Sequence, residues 1–282
     1  MLIRNHIFRR VTIVGVGFMG GSLGMALRQH KLAREVVGLS SRPSSLVEAI
    51  KVGAIDEAIT DVDKAIRHAD LVVLATPVES IIKLFPTINP FLRRGCIITD
   101  LGSTKAEIVE TAESLTHPSF FVGSHPLVGS EKKGVENARA DLFDKAVCLM
   151  TPTKMTNPMI KEKVKYLWTK LGAQVKFLLP EEHDEILAYV SHLPHVLAYA
   201  LMEMIPDKYM EYGAGGLKDT TRIASSSPQI WHDICFSNPK NVVKSLDQLV
   251  KVLSEIRKAI VGRDNRALMN HFMKGKEKRD AV

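Results

Sequence analysis

The apolar positions of this chain change their pattern near residue 179. Before that point, short apolar and β-branched runs alternate with stretches of helical spacing. Continuous apolar runs are typical of strands covered on both faces, and their alternation with helices predicts a doubly wound, mainly parallel sheet of the α/β class. The predicted strands are residues 11–16, 35–40, 70–76, 95–100, 120–123, 146–151 and 174–178.

From Pro180 onward the strand-like runs disappear, and apolar residues recur at helical spacing across 186–204 and 246–260. We therefore expect a sheet domain at 1–179 and an all-α domain at 180–282. The helices present wide apolar faces, more than a domain of roughly 100 residues hides easily, which favours burial against a second subunit. The chain is thus predicted to form a homodimer through its helical domain.

A glycine-rich turn follows the first predicted strand. The segment 11–22 reads VTIVGVGFMGGS, which contains the Gly-x-Gly-x-x-Gly spacing of a dinucleotide-binding Rossmann fold. In that fold, phosphates bind at the N-terminus of the next helix, here expected at 18–30, where free N–H groups and the helix dipole favour negative charge. The cofactor contacts predicted on this loop are Gly15, Gly17, Phe18, Met19 and Gly20.

The end of the second strand bears on which dinucleotide binds. An acidic residue about 20 positions after the glycines usually holds the ribose of NAD, but here the chain reads Ser40, Ser41 and Arg42. Two hydroxyls and a guanidinium suit the 2′-phosphate of NADP, so NADP is favoured and NAD remains possible. The alternative is that the three residues form a solvated turn before a helix near Ser44.

Two further turns follow strand ends and should face the cofactor. Ligands in open α/β sheets bind outside the carboxyl ends of the strands. Thr76 and Pro77 follow one predicted strand, and Ser103 lies in the turn after the next. We expect all three at the cofactor edge.

Composition limits the classes of function. The net charge of +7 is partly explained by a basic tail at 274–279, and no basic stripe interleaved with aromatics is present, which argues against nucleic-acid binding. Three cysteines without a CxxC pair favour a reducing, cytoplasmic setting. No run of about 18 apolar residues occurs, so no membrane span or membrane partner is expected.

Three polar clusters are candidates for chemistry. The first, at 123–131, contains His125 after a predicted strand; a histidine there accepts a proton near neutral pH, although a surface-loop histidine beside a turn proline has the same pattern. The second lies on a predicted helix over 181–205 and contains Asp184, His192 and His195, with a bend expected at Pro194.

The second cluster does not resemble a metal site. The segment is not HExxH and lacks a third ligand at diagnostic spacing, so a polar patch facing the domain cleft is favoured and no metal is predicted. The third cluster, at 213–227, contains Lys218 and Arg222 one helical turn apart, where they present two cations to an acidic ligand or remain solvated surface charges.

Five ordered blocks together resemble one family, the prephenate and arogenate (cyclohexadienyl) dehydrogenases of tyrosine biosynthesis. The resemblance covers nearly the whole chain. Its blocks are GVGFMGGS at 15–22, DLGSTK at 100–105, GSHPLVGSEKKG at 123–134, HDEILAYVSHLPH at 183–195 and GGLKDTTRIASSSPQIW at 215–231. Such a match implies a Rossmann domain followed by a helical dimerisation domain.

The resemblance also implies a reaction, the oxidative decarboxylation of prephenate to 4-hydroxyphenylpyruvate and CO2. It matches His125 to the family's catalytic histidine, which takes the proton of the C4 hydroxyl, and Ser103 to a residue that helps to orient it. It matches Arg222 to the arginine that holds a substrate carboxylate. The other residues matched to the substrate pocket are Ser130, Glu131, His192, His195 and Lys218.

Other functions remain open. His195 resembles the members that use prephenate, but arogenate, or both substrates, is an alternative. A β-hydroxyacid dehydrogenase on the same scaffold would depend on a helical-domain lysine such as Lys218. A non-catalytic, dinucleotide-sensing dimer is the alternative of another class.

Overall fold

A parallel sheet forms the centre of the N-terminal half. The computed structural model describes residues 6–114, 120–128 and 132–281. Within them the strands are β1 (Phe8–Val14), β2 (Ala33–Leu39), β3 (Glu57–Ile59), β4 (Leu71–Leu74), β5 (Ile97–Asp100), β6 (Gly123–Pro126), β7 (Val147–Thr151) and β8 (Gln174–Phe177). Five of them form one parallel sheet in the order β3-β2-β1-β4-β5.

Helices cover both faces of this sheet, as the apolar runs predict. The helices of the N-terminal half are α1 (Phe18–Gln29), α2 (Pro43–Lys51), α3 (Val62–Ile66), α4 (Val78–Ile88), α5 (Ala106–Glu113) and α6 (Pro158–Lys170). One buried core includes Leu23 of α1 and Trp168 of α6, and a second includes Phe85 of α4 and Ile108 of α5. The doubly wound α/β architecture is confirmed.

The carboxyl ends of three neighbouring strands lie level with one another. In the register, Val14 of β1 lies opposite Leu74 of β4, which lies opposite Asp100 of β5. The turns that begin at Gly15, Ala75 and Leu101 therefore leave the sheet side by side. This alignment places the glycine turn next to the two turns expected to face a cofactor.

The strand expected at 120–123 begins three residues later than the pattern indicates. Phe121 makes an isolated parallel bridge to Ile98 of β5, and regular pairing then occurs at Gly123–Pro126. Here β6 pairs antiparallel with β7, which pairs in parallel with β8. His125 consequently lies within a strand, opposite Leu149, and not on the loop that the sequence pattern indicated.

The C-terminal half is helical. Its helices are α7 (Pro180–Leu187), α8 (Leu193–Met204), α9 (Gly215–Thr221), α10 (Pro228–Ser237), α11 (Pro239–Val261) and α12 (Asn265–Asp280). The helix expected at 181–205 is interrupted by a π-helical segment at Ala188–His192, directly before Pro194. Proline has no N–H to donate to the preceding turn, and a π-bulge is one of the usual ways in which a helix bends.

No helix among the described residues is long and apolar enough to cross a membrane. All three cysteines are free thiols, with Cys96 and Cys148 buried and Cys235 partly buried.

Candidate functional site

The glycine turn has the three properties that a dinucleotide requires. Gly15 adopts a φ of +94°, and a Cβ added there would lie 2.6 Å from Thr76 Cγ2. A Cβ on Gly20 would lie 2.0 Å from the carbonyl oxygen of Gly15. No atom of a described residue lies within 4 Å of the position of a Cβ on Gly17, so this glycine faces open space. Gly15 and Gly20 are thus required by packing, whereas Gly17 leaves room for a ligand.

The N-terminus of α1 and the hydroxyl of Thr76 supply unused polar groups beside this space. In any α-helix the first N–H groups have no acceptor within the helix, which here concerns Phe18, Met19 and Gly20. Gly17 provides no side-chain cap. Thr76 Oγ1, in the turn after β4, is buried and has no hydrogen-bond partner within residues 6–114, 120–128 and 132–281. These donors fit a pyrophosphate and its ribose.

The residues after β2 are held in a turn that exposes two side chains. Ser40 Oγ accepts a hydrogen bond from the backbone N–H of Arg42 at 3.1 Å. Ser41 and Arg42 are exposed, and Arg42 is the N-cap of α2. The guanidinium therefore lies at the end of β2, where a dinucleotide fold places the ribose of the adenosine.

His125 is joined to the helical half of the chain by hydrogen bonds. Its Nδ1 lies 2.9 Å from Nε2 of His183, and Nδ1 of His183 lies 2.8 Å from Oδ1 of Asp184. The Asp184 carboxylate also accepts backbone N–H groups of Lys105 at 2.7 Å and Ala106 at 2.9 Å. Because β6 carries His125 and α7 carries the other two side chains, this series of hydrogen bonds spans the junction between the two halves.

Burial keeps the imidazoles at this junction neutral. It lowers the pKa of His125 well below its ordinary value, and the neighbouring His183, Lys105 and His192 lower it further. Burial also lowers the pKa of His183, although its hydrogen bond to Asp184 acts in the opposite direction. A neutral His125 is ready to accept a proton at physiological pH.

A buried ion pair fixes the turn after β5. The ammonium of Lys105 bonds the carboxylate of Asp100, and both side chains are fully buried. The same carboxylate accepts the N–H groups of Gly102 at 2.8 Å and Ser124 at 3.1 Å. Ser103, partly exposed, lies within this turn. The ion pair therefore connects the predicted cofactor edge to the strand that carries His125.

The predicted substrate histidines pack against an indole. The rings of His195 and Trp231 are stacked with centroids 3.5 Å apart, and His195 Nδ1 donates to the carbonyl oxygen of Ser191 at 2.9 Å. His192 is buried and meets Trp231 edge to face at a centroid distance of 6.2 Å, and in the part of the chain that the structure describes its Nε2 has no hydrogen-bond partner. The carbonyl bond leaves His195 Nε2 as an acceptor.

Lys218 and Arg222 are less closely held than these residues. Lys218 is on α9, Arg222 begins the short helix that follows, and both are exposed. Arg222 lies close enough to lower the pKa of His195, after the larger effect of burial.

Ser130 and Glu131 lie outside the described residues. In the part of the chain that is described, no group of three His, Cys, Asp or Glu side chains is arranged to hold a metal ion.

Sequence reasoning missed several residues of this site. His183, Lys105 and Trp231 occur in the sequence blocks of the family resemblance, but the sequence assigns none of them a role of its own. A buried histidine directly before Asp184 is a signal for a hydrogen-bonded pair. Its partner His125 is 58 positions away, which no local pattern reveals.

Comparison with known proteins shows similarity over nearly the whole chain. Residues 23–177 match the family model for the prephenate dehydrogenase nucleotide-binding domain, and residues 179–274 match that for the prephenate dehydrogenase dimerization domain. The chain is 31% identical to the prephenate dehydrogenase of Bacillus subtilis, over 99% of this chain and 77% of the relative. It is 30% identical to the cyclohexadienyl dehydrogenase of Zymomonas mobilis, over 98% of this chain and 97% of the relative.

A solved structure shows the same similarity. The prephenate dehydrogenase from Aquifex aeolicus, in complex with hydroxyphenyl propionate and NAD+, superposes with a TM-score of 0.91 and is 34% identical. The match covers 97% of this chain and 98% of that structure.

Proposed function

The chain belongs to the prephenate dehydrogenase family, an oxidoreductase family of tyrosine biosynthesis, and on this premise we propose that it oxidises prephenate to 4-hydroxyphenylpyruvate and CO2 with NADP as the preferred cofactor. The observation that carries the proposal is the position of His125. This base, on a strand of the Rossmann domain, is hydrogen-bonded to His183 of the helical half. The proposed domains are 1–179 and 180–282.

All bond changes of the proposed reaction take place on the ring of prephenate, and its atoms and electrons balance. The C4–H bond breaks, and its hydride passes to the nicotinamide that a bound cofactor supplies. The C4 hydroxyl gives its proton to His125 as the carbonyl develops. Loss of the ring carboxylate as CO2 returns electrons to the ring, and the oxygen takes a proton back as the phenol forms. The protein must hold a dianion and provide a neutral base, since aromatisation supplies the driving force.

Several polar groups of the chain support these tasks. The exposed cations Lys218 and Arg222 bind the substrate carboxylates in this proposal, and the low pKa of His125 keeps it in the basic form. Ser103 is proposed to touch both cofactor and substrate. The buried His192 Nε2 has no hydrogen-bond partner among the described residues and is available to a polar substrate atom. Ser130, Glu131 and His195 are proposed to line the same pocket.

The choice of cofactor rests on the turn after β2. Ser40, Ser41 and Arg42 include no carboxylate to repel a 2′-phosphate, and the exposed guanidinium of Arg42 suits bidentate bonding to one. The Aquifex aeolicus relative was crystallised with NAD+. NAD is therefore the alternative cofactor that the assay must include.

The choice of substrate rests on charge. Prephenate carries a keto acid side chain, whereas arogenate carries an amino group there and is less anionic. The two exposed cations Lys218 and Arg222 favour the more anionic substrate. The Zymomonas mobilis relative is named a cyclohexadienyl dehydrogenase, so use of both substrates is the second candidate.

A homodimer through the helical domain follows from its exposed apolar residues. Eight large apolar side chains of α11 and α12 are each more than half exposed: Val243, Val250, Leu253, Ile260, Val261, Met269, Phe272 and Met273. Such a surface is wider than a monomer normally leaves in water, and the family model that matches this half is described as a dimerization domain.

We further propose a reducing, cytoplasmic setting, on the ground that the three thiols are unpaired.

An absorbance assay tests the proposal by combining prephenate and arogenate with NAD and NADP in all four pairs. We expect the fastest formation of reduced cofactor with prephenate and NADP. His125→Asn should lower kcat about 10²- to 10⁴-fold, the usual contribution of a general base, while cofactor binding persists. Turnover of 3-hydroxy acids that depends on Lys218, or tight NADP binding without turnover of any acid, would overturn it.

A further inference from the structure

We propose that Asp184 and His183 form a positioning pair that fixes the tautomer of His125, so that its Nε2 carries the lone pair that receives the substrate proton. The inference rests on the proposed function, because it names the atom at which that reaction's base acts. It concerns residues that make no direct contact with substrate in the proposal. They influence the reaction only through the hydrogen bond to Nδ1 of His125.

The direction of the hydrogen bonds begins at Asp184. A carboxylate only accepts hydrogen bonds, and both oxygens of Asp184 already receive backbone N–H groups, from Lys105 and Ala106. The contact at 2.8 Å between its Oδ1 and Nδ1 of His183 must therefore be donated by the imidazole. The proton of neutral His183 is thereby placed on Nδ1, and its Nε2 becomes an acceptor.

The same rule then determines the state of His125. A contact of 2.9 Å between Nδ1 of His125 and Nε2 of His183 requires one proton between the two atoms. Because Nε2 of His183 is the acceptor, Nδ1 of His125 is the donor. The lone pair of neutral His125 is thus on Nε2, away from His183.

Hydrogen bonds from both halves of the chain hold His183 and Asp184 in place. Asp184 receives its two N–H groups from Lys105, the N-cap of α5, and Ala106, the first residue of that helix, on the sheet side of the junction. Asn238 of the helical half donates to the carbonyl oxygen of Asp184 at 2.7 Å. Both side chains of the pair are buried, at 0% and 2% exposure. The tautomer of His125 is therefore set only when the two halves are docked together.

Substitution of the Asp184 carboxylate should reverse the direction of the hydrogen bonds that link Asp184, His183 and His125. In Asp184→Asn the amide NH2 must face one of the two backbone N–H groups; where it takes the Oδ1 position it donates to Nδ1 of His183, and the proton of His183 then moves to Nε2. That proton points at Nδ1 of His125, whose own proton moves to Nε2, where the base should be. In the serine protease triad, the same change of Asp to Asn lowers kcat about 10⁴-fold by the wrong tautomer.

The first test reads the tautomer of the resting protein by ¹⁵N NMR of the histidine rings. The signal of His125 is assigned by its loss in His125→Asn. We expect the Nδ1–H tautomer in the unsubstituted protein and the Nε2–H tautomer in Asp184→Asn. An Nε2–H tautomer of His125 in the unsubstituted protein would overturn the inference. This measurement needs no substrate, so a protein with the expected tautomer and no turnover of either cyclohexadienol would refute the proposed function alone.

The second test separates positioning from folding. We expect kcat to fall at least 100-fold in Asp184→Asn and in His183→Leu, with KM for prephenate and the Kd for cofactor within about threefold. His183→Gln retains an acceptor oxygen for Nδ1 of His125 and should recover part of kcat. If Asp184→Asn fails to fold, the His183 variants carry the test, since they leave the carboxylate in place. Unchanged kcat in His183→Leu would overturn the inference.

A matched control is available in the same half of the chain. His232 and Asp233 are also adjacent, with Nδ1 and Oδ1 at 3.2 Å, and neither belongs to the series that ends at His125. Asp233→Asn changes a buried carboxylate beside a histidine in the same way. It should leave the tautomer of His125 and kcat unchanged. A loss of kcat in Asp233→Asn as large as in Asp184→Asn would assign the effect to general destabilisation.

Discussion

His195 and Trp231 lie face to face, with ring centroids 3.5 Å apart and ring planes inclined by 19°. The indole covers one face of the imidazole, while the carbonyl oxygen of Ser191 accepts its Nδ1–H. The ring is therefore held at both its face and its edge. This arrangement connects α8 and α10, the two helices that carry the residues.

Trp231→Leu should weaken substrate binding without altering the chemical step. Aromatic pairs contribute about 0.5–1.5 kcal/mol beyond the area that they bury, so we expect KM for prephenate to rise about two- to tenfold while kcat changes little. Steady-state kinetics measure both constants. Trp231→Phe keeps an aromatic face, so its KM for prephenate should lie between that of the unsubstituted protein and that of Trp231→Leu. An equal fall of kcat in both variants would contradict the role of a support for His195.

Two glycine substitutions should separate folding from cofactor binding. Gly17→Ala adds a methyl group to open space, so the protein should fold with unchanged Tm but bind NADP at least tenfold more weakly. Gly20→Ala places its methyl 2.0 Å from the carbonyl oxygen of Gly15, and overpacking of this kind costs about 1–3 kcal/mol of the free energy of unfolding. Thermal unfolding and cofactor titration check the two effects. Normal NADP affinity in Gly17→Ala would argue against a pyrophosphate at this position.

Arg42→Ala should weaken NADP binding much more than NAD binding. A hydrogen bond to a charged group contributes about 1.5–3 kcal/mol, which corresponds to about a 10- to 150-fold change in Kd. We expect a loss in this range for NADP and less than about threefold for NAD, measured by fluorescence titration. Arg34→Ala, on β2 but exposed toward its amino end, is a control of equal charge. Equal losses for both cofactors would remove the case for the 2′-phosphate.

The fold was predictable because its signals are local. The glycine turn and the apolar runs of β1, β2, β4 and β5 each lie within a few consecutive residues, and their ends are within a few positions of the observed ones. β3 was not predicted because three residues are too few to show a pattern of apolar positions, and none of the three is buried. β6 was misplaced because its pairing partner β7 is more than 20 positions away and decides where pairing begins.

The site was predictable only in part, for the same physical reason. His125 and Asp184 stand out as titratable residues near predicted element ends. The hydrogen bond from His125 to His183 and the ion pair of Lys105 with Asp100 arise when the halves dock and the turn closes, and neither spacing is a helical repeat or a known motif. Burial gives these residues their roles, and no window of sequence shows which polar residue will be buried.

His192 should make the protein less stable in mild acid. Burial lowers its pKa from its ordinary value to about 4, although the nearby Asp184 acts in the opposite direction and His183 and His195 lower it further. Below about pH 6.5 the unfolded chain binds a proton at this residue that the folded chain does not. The free energy of unfolding therefore decreases as pH falls from about 6.5 toward about 4, by about 3 kcal/mol in total for this residue.

Urea unfolding at several pH values measures this dependence. His192→Leu removes the titrating group, and its free energy of unfolding should fall less steeply with decreasing pH than that of the unsubstituted protein. His30→Gln changes an exposed histidine at the end of α1 and should leave the slope unchanged. Identical slopes in the unsubstituted protein and His192→Leu would show that His192 is not held neutral by burial.

Lys105→Met should affect both stability and catalysis. The ammonium and the Asp100 carboxylate are fully buried, so removal of one partner leaves an uncompensated charge and costs about 3–5 kcal/mol of the free energy of unfolding. Lys105 also lowers the pKa of His125. Without this cation the pKa of His125 rises, and the acid limb of the kcat/KM profile should move to higher pH.

The double variant Lys105→Met, Asp100→Asn separates the two effects. It removes the unpaired carboxylate while an amide oxygen still accepts an N–H group of the turn, so a large part of the stability should return. The cation beside His125 remains absent, so the acid limb should stay displaced from that of the unsubstituted protein. Recovery of the original pH profile together with stability would mean that Lys105 influences His125 only through the structure of the turn, and not through its charge.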